Sequence, residues 1–370
     1  MNRTEELVEQ IKYYADAYYA GKEEISDKEY DALIEELRVL DPENPLIAGM
    51  AGDEDEDVAN AAGYKKMNHI LTTGTLDKAM TLDVFEKWCK THNKYGYHIS
   101  SKMDGCSQEL VYEKGSLIHM ISRGDGYTGY DKLSLTKYLK VPANVPANFT
   151  GSIRGEFELS NKGFKSHKVF EKMKNPRNAG SGLLNKKAED LKPEEIDAMK
   201  EMKFFAYDVK TKDKTFKSKT EVFEFLSSVL GFDLPEWRTA KTYDEVVKFR
   251  EELSKDRGTE KEEFAIDGIV VFEDIFDEED QKEKVQKNAI AVKFDLMVAE
   301  GTILDIEWSM AGAYLTPVAI MTPMYLDGTT VQRANLCNLN IIQKLGIKIG
   351  DKVRVAKKGE IIPQVLCKVN

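Results

Sequence analysis

Lys102-Met103-Asp104-Gly105 is the stretch from which the rest of this chain is read. Alone, a lysine two places before Asp-Gly is a weak sign. Roughly one chain in five of this length and charge would carry it by chance, as a surface turn with a solvated lysine. A series of further motifs at wide, ordered intervals gives it weight. Downstream come Arg123-Gly-Asp-Gly-Tyr-Thr-Gly-Tyr-Asp131, Ile153-Arg-Gly-Glu156 and Asn175-Pro-Arg177-Asn-Ala-Gly. After these stand Phe204-Phe-Ala-Tyr207, Ile266-Asp267-Gly-Ile-Val-Val271 and Ala291-Val-Lys293-Phe294.

Around these motifs the pattern mixes strands and helices. Gln108–Glu113 and Leu117–Ser122 flank Lys114-Gly115, the pattern of a hairpin. Ile153–Leu159, Phe204–Val209 and Ile266–Phe272 read as strands, and Glu221–Leu230 and Tyr243–Leu253 as helices. Strands that do not alternate regularly with helices imply an α+β fold with antiparallel sheets over residues 66–298. Upstream, Leu7, Ile11, Tyr14 and Tyr18 mark one helix face. Ser26-Asp27-Lys28-Glu29 is a capping box for a second helix whose buried stripe is Leu33, Leu37 and Leu40. Residues 1–65 therefore form a small helical domain, with 47–63 as an acidic linker. From 299 to 370 short strands and Gly turns (Ile303–Trp308, Val318–Tyr325, Thr330–Arg333, Lys352–Ala356, Gln364–Val369) suit a five-stranded OB-type barrel.

Composition leaves the partner open. The net charge is −11, which opposes binding to phosphate-rich partners, but the acid is clustered in Asp53–Asp57 and Glu273–Glu283, both expected as solvated loops. Basic residues gather at Lys162–Arg177 and Lys344–Lys358. Four scattered cysteines and five scattered histidines argue against a disulfide framework or a zinc site. With no apolar run long enough to cross a bilayer and no signal-type start, a cytoplasmic protein without membrane contact is expected.

The motif residues suit phosphoryl chemistry. A lysine amine attacking phosphorus must be neutral, so burial and neighbouring cations are expected to lower the pKa of Lys102. Arg123, Arg177 and Lys293 offer positive charge for a phosphate in its transition state. Asp104, Glu156 and Asp267 supply carboxylates, each as plausible in a structural ion pair when taken singly.

The ordered set resembles the nucleotidyltransferase motifs of NAD-dependent DNA ligases. The RGDG and NPRNA segments mark that branch rather than the ATP-dependent one. Thr316–Ala319 (TPVA), Leu345–Asp351 and Gly359–Pro363 are similar to its OB domain. The resemblance implies that Lys102 takes AMP from NAD and passes it to the 5′-phosphate of nicked duplex DNA, where a 3′-hydroxyl displaces it. It implies catalytic roles for Lys102, Asp104, Arg123, Glu156, Arg177, Asp267 and Lys293, with Glu156 also holding the AMP ribose. Tyr18, Tyr19, Asp27, Tyr30 and Asp31 would grip the nicotinamide half, and Thr75, Leu76, Ser100 and Gly105 complete the cofactor site. Magnesium, or manganese in its place, would be held by Asp104, Glu156 and Asp267, directly or through water; no zinc is expected.

Several positions depart from that family. Ser100 replaces a glutamate that reads adenine, and Tyr19 a histidine of the nicotinamide site. Tyr130 replaces a glutamate, Asn185 an arginine, Phe272 a lysine that touches phosphate, and Cys337 a histidine. Trp308-Ser-Met-Ala311 lacks the family's Gly-Arg. Losing one such transition-state contact can cost a factor of about a hundred. The family's zinc, helix-hairpin-helix and BRCT modules do not follow the barrel in this sequence, which leaves three readings open: a compact form, a truncated sequence, or a second subunit that carries zinc and helix-hairpin-helix modules as a further partner. Two competing readings stand beside this one: an ATP-using lysine-adenylating enzyme, and a nick-binding subunit that adenylates weakly.

Overall fold

A computed structural model of the chain describes residues 64–71, 75–173, 175–259, 261–277, 280, 285–295, 297–311, 314–326, 329–358 and 362–369. It also describes 3, 4, 6–8, 10, 11, 33, 36, 37, 40 and 41 near the start. All of this last group except Asp41 is helical, and Leu7, Ile11 and Leu37 pack on one another fully buried. Leu40, expected on the same stripe, is instead 51% exposed. The helical turn closes there, Asp41 N–H bonding to Leu37 O at 2.8 Å. Tyr14, the 26–29 capping box and the 47–63 linker lie outside the described residues.

Two sheets build the middle of the chain. The first is five-stranded, in the order β2 (Thr75–Ala79), β11 (Val285–Lys293), β10 (Ile266–Glu273), β3 (Tyr97–Met103), β9 (Trp237–Ala240). The second is four-stranded: β5 (Ser116–Ser122), β4 (Cys106–Glu113), β7 (Gly151–Leu159), β8 (Met202–Thr211). A two-stranded ribbon joins β1 (Lys66–Asn68) to β6 (Thr128–Tyr130). The β4–β5 hairpin turns at Lys114-Gly115 as its sequence indicates, both residues at positive φ. Not every pairing is antiparallel, however: β2 runs parallel to β11. The chain leaves β2 and returns as β11 only after most of the domain, a long crossover that permits parallel pairing.

Each sheet buries one apolar face. The five-stranded sheet packs Ile99, Ile269, Val271 and Val292 against Phe85 of α1 (Leu82–Cys89) and Phe249 of α6 (Tyr243–Ser254). The four-stranded sheet packs Leu110, Ile153, Phe157 and Val209 against α3 (Pro176–Leu184), α4 (Pro193–Met199) and α5 (Lys219–Ser228). A short helix α2 (Asn161–Ser166) follows β7. Each fully buried large apolar side chain is worth about 1.5–3 kcal/mol, so these two cores hold the sheets rigidly on either side of the space between them. Glu273, expected in a solvated loop, instead ends β10 and is 8% exposed. Its carboxylate accepts from Lys94 N–H at 2.8 Å, which satisfies it in the interior.

The C-terminal region is a closed barrel of β12 (Val298–Ala311), β13 (Tyr314–Leu326), β14 (Thr329–Asn335), β16 (Ile362–Lys368) and β15 (Lys352–Lys358). Its first two strands are long, 14 and 13 residues, rather than short. Bulges where Ile303 and Ile320 pair let them bend round the barrel. Helix α7 (Leu339–Leu345), not expected from the linear pattern, is capped by Asn338 and ends at left-handed Gly346.

Candidate active site

The space between the two sheets is a cleft of about 490 Å³, within the usual range for a small-molecule site. Lys102 lies on β3 rather than on a surface turn, and its side chain is 25% exposed. The register explains what faces it. Lys102 on one neighbouring strand and Lys293 on the other both pair with Gly268 of the central strand β10. Asp267 would ordinarily point to the opposite face of the sheet. A bulge between Ile266 and Gly268 turns its carboxylate towards the two lysines. Lys102 Nζ donates to Asp267 Oδ2 at 3.0 Å, and Lys293 Nζ donates to the same oxygen. Asp267 Oδ1 is buried without a partner among the described residues.

The turn after Lys102 is set by close packing. A Cβ on Gly105 would lie 2.2 Å from Phe157 O and 2.6 Å from Glu158 Cγ, so only glycine passes over β7 here. Asp104, just before it, accepts from Arg177 Nη1 at 2.8 Å. The Asn-Pro-Arg motif is a helix start: Asn175 caps α3 by accepting from Asn178 N–H, Pro176 occupies the first turn, and Arg177 is thereby aimed at Asp104.

Glu156 stands opposite Ser107 in the β4–β7 pairing. Tyr207 reaches both, donating to Glu156 Oε2 at 3.4 Å and contacting Ser107 Oγ at 3.1 Å. Burial pushes the Glu156 carboxyl up to about 7, against the opposing pull of Lys102, Arg177 and Arg123. For Lys102 the balance is the reverse of the sequence expectation. Burial draws its pKa down, but Asp267, Glu156 and Asp104 together outweigh burial and hold it above the ordinary lysine value. Of the neighbouring cations expected to neutralise it, Arg177 is matched to Asp104 and Lys293 to Asp267.

All seven residues expected to act, Lys102, Asp104, Arg123, Glu156, Arg177, Asp267 and Lys293, line this one cleft, as do Thr75, Leu76 and Ser100. Gly105 lines a smaller adjoining pocket with Arg123, Glu156 and Arg177. Tyr18, Tyr19, Asp27, Tyr30 and Asp31 lie outside the described residues. Among the described residues, no three carboxylate, imidazole or thiol groups converge to hold a metal ion.

Sequence reasoning missed several groups here. Lys132, 2% exposed, donates to Asn185 Oδ1 in the smaller pocket, bringing a cation beside the residue that stands in an arginine's place. Glu158 is buried under Gly105, and burial followed by Glu156 and Asp104 pushes its pKa well up. Neither belongs to a motif, and each looks like an ordinary surface residue in the linear pattern.

Residues 61–296 match the NAD-dependent DNA ligase adenylation domain, and residues 300–370 the NAD-dependent DNA ligase OB-fold domain. The chain belongs to the NAD-dependent DNA ligase family. Residues 1–50 match the DNA ligase-like N-terminal NAD+-binding domain, the region of the tyrosines and aspartates singled out above. The chain is 36% identical to the DNA ligase of Treponema denticola, over 97% of this chain and 56% of that protein. It is 33% identical to the DNA ligase of Treponema pallidum, over 98% of this chain and 44% of that protein. A solved structure from a study of Lig E DNA ligases aligns at a TM-score of 0.46 and 12% identity, covering 81% of this chain and all of that one. The chain thus spans about half the length of the curated ligases it matches. Among the described residues no helix is long and apolar enough to cross a membrane.

Proposed function

We propose that the chain is the NAD-reactive core of a DNA ligase acting through an AMP-loaded Lys102. One observation carries this reading: Lys102, Arg123, Arg177 and Lys293, drawn from four separate motifs, line one cleft. In the first step the Lys102 amine, having lost its proton, forms an N–P bond to the adenylyl phosphorus of NAD. The P–O bond to nicotinamide mononucleotide breaks, and that group leaves with the electron pair. Arg123, Arg177 and Lys293 hold the phosphate oxygens as charge builds, in a site poor in water where such contacts are strong. The 5′-phosphate of a DNA nick then takes the AMP from Lys102, and the 3′-hydroxyl displaces it to close the strand. Glu156 holds the ribose, and the aromatic and acidic residues Tyr18, Tyr19, Asp27, Tyr30 and Asp31 hold the nicotinamide half. Asp104, Glu156 and Asp267 would hold a magnesium ion, directly or through water, and the ion would supply charge neutralisation at the transferring phosphate.

Intact-protein mass after incubation with NAD, and separately with ATP, tests this. A gain of one AMP with NAD alone, abolished in Lys102→Ala, is expected. A gain with ATP alone would make the chain an ATP-using enzyme. No gain with either would favour a nick-binding subunit, the reading that Ser100, Asn185 and Phe272 bring forward.

A further inference from the structure

Part of the cleft lining carries none of the four cations assigned to the phosphate. Two consecutive residues of β8, Tyr207 and Asp208, both line the cleft. They can do so because Arg154 pairs with Asp208 and Gly155 with Ala206, which leaves Tyr207 as an extra residue in a bulge. Asp208 is 8% exposed and ion-paired at 3.2 Å with Lys219 Nζ, at the start of α5, whose side chain is 5% exposed. Phe223 and Phe272 line the same cleft, and Lys219 Nζ sits 4.5 Å from the Phe272 ring centre. An ion pair taken this far from water adds little stability over apolar residues of the same volume. Here one member of the pair opens onto a ligand cleft, which gives it a use.

We propose that Asp208, held in place by Lys219, reads the edge of the nucleotide base and selects adenine. The inference rests on the adenylation reading above. A carboxylate only accepts hydrogen bonds. Adenine offers an amino group at position 6, a donor; hypoxanthine and guanine carry a carbonyl oxygen there, which the carboxylate repels. The flat rings of Phe223 and Phe272 suit the face of a purine. A site built to bond a particular polar group rejects analogues lacking it far better than an apolar pocket rejects an extra methylene. Lys219 reaches the base only through Asp208, so it is a positioning residue.

The test uses the full chain with NAD and with its hypoxanthine analogue, in which a 6-oxo group replaces the amine. Covalent loading is read by intact mass, and binding of AMP against IMP by calorimetry. We expect loading from NAD to exceed loading from the analogue by on the order of a hundredfold. Asp208→Asn, which offers both a donor and an acceptor, should bring the two within about tenfold. The double variant Asp208→Leu/Lys219→Met removes the pair without leaving a buried charge, and it should fold yet lose the preference. It decides the matter if Asp208→Asn does not fold. Preference kept in the variants, with only thermal stability altered, would make the pair structural and overturn the proposal. If no dinucleotide loads the chain, the ligase reading has failed on its own account. The base reader is then judged by binding: AMP favoured over IMP in the parent and not in the variants supports it, and equal affinities in the parent overturn it.

Discussion

Lys102 and Asp267, 165 positions apart, share an ammonium–carboxylate contact of 3.0 Å on the floor of the cleft. The contact favours the charged lysine, and with Glu156 and Asp104 it outweighs the effect of burial. The resting site therefore keeps its nucleophile protonated, and AMP loading should rise with pH as the amine is released. Asp267→Asn removes the largest influence raising Lys102 and leaves Lys293 as a nearby cation, so the rise should move to lower pH, by about one unit or more. The plateau rate should also fall, because Lys293 loses its anchor. AMP loading followed by mass across a pH series checks this; an unmoved midpoint would mean that Asp267 does not govern Lys102.

How much of this arrangement was legible in the sequence differs from residue to residue. Lys102, Arg177 and Lys293 sit in short motifs whose order alone placed them together. The β3 strand was not legible, because His98, Ser100 and Ser101 break the apolar alternation although all three are buried. The bulge that aims Asp267 depends on the register of three strands, which no linear pattern carries. The same holds for Asp208, which the β7–β8 bulge brings to the cleft, and for Lys219, which the packing of α5 brings to Asp208. Barrel and hairpin were easier to see, since turn residues and alternation are local.

Gly105→Ala should damage both fold and function. Its new Cβ would fall 2.2 Å from a backbone oxygen of β7, which cannot swing aside as a side chain can. Overpacking of this kind costs about 1–3 kcal/mol, and the displaced turn carries Asp104. We expect a lower Tm together with loss of AMP loading. A variant with unchanged Tm and full loading would show that the turn relaxes freely.

Removing residues 1–63 should abolish loading from NAD while leaving the joining of an already adenylated nick largely intact. Those residues are proposed to touch only the leaving group, which is gone after the first step. The cut preserves Tyr64, whose hydroxyl donates to Lys186 O at 2.5 Å and ties the new terminus to the domain. Comparing NAD loading with joining of a pre-adenylated nick checks this. Equal loss of both would make the segment a structural support instead.

His98 provides a test of stability in acid. It is fully buried, its ring centre 4.2 Å from that of Phe223 and 5.2 Å from that of Trp237, and its Nε2 has no partner among the described residues. Burial, aided by the charge on Lys219, lowers its pKa from 6.5 to about 3. An unfolded histidine binds a proton below its ordinary pKa, whereas the folded one stays neutral. Stability is therefore whole above pH 6.5 and drains away as the pH falls towards 3. His98→Phe removes the titrating group and keeps a ring for the stack. It gives up one bond, from Nδ1 to Thr220 Oγ1 at 3.2 Å, but Thr220 keeps its 2.8 Å bond to Asp274. The variant should melt near the parent at pH 7 and lose less Tm on going to about pH 4.5, where the parent's proton linkage amounts to roughly 1–3 kcal/mol. Thermal melts at the two pH values decide it: parallel losses in parent and variant would mean that His98 is already protonated, or exposed, in the folded protein.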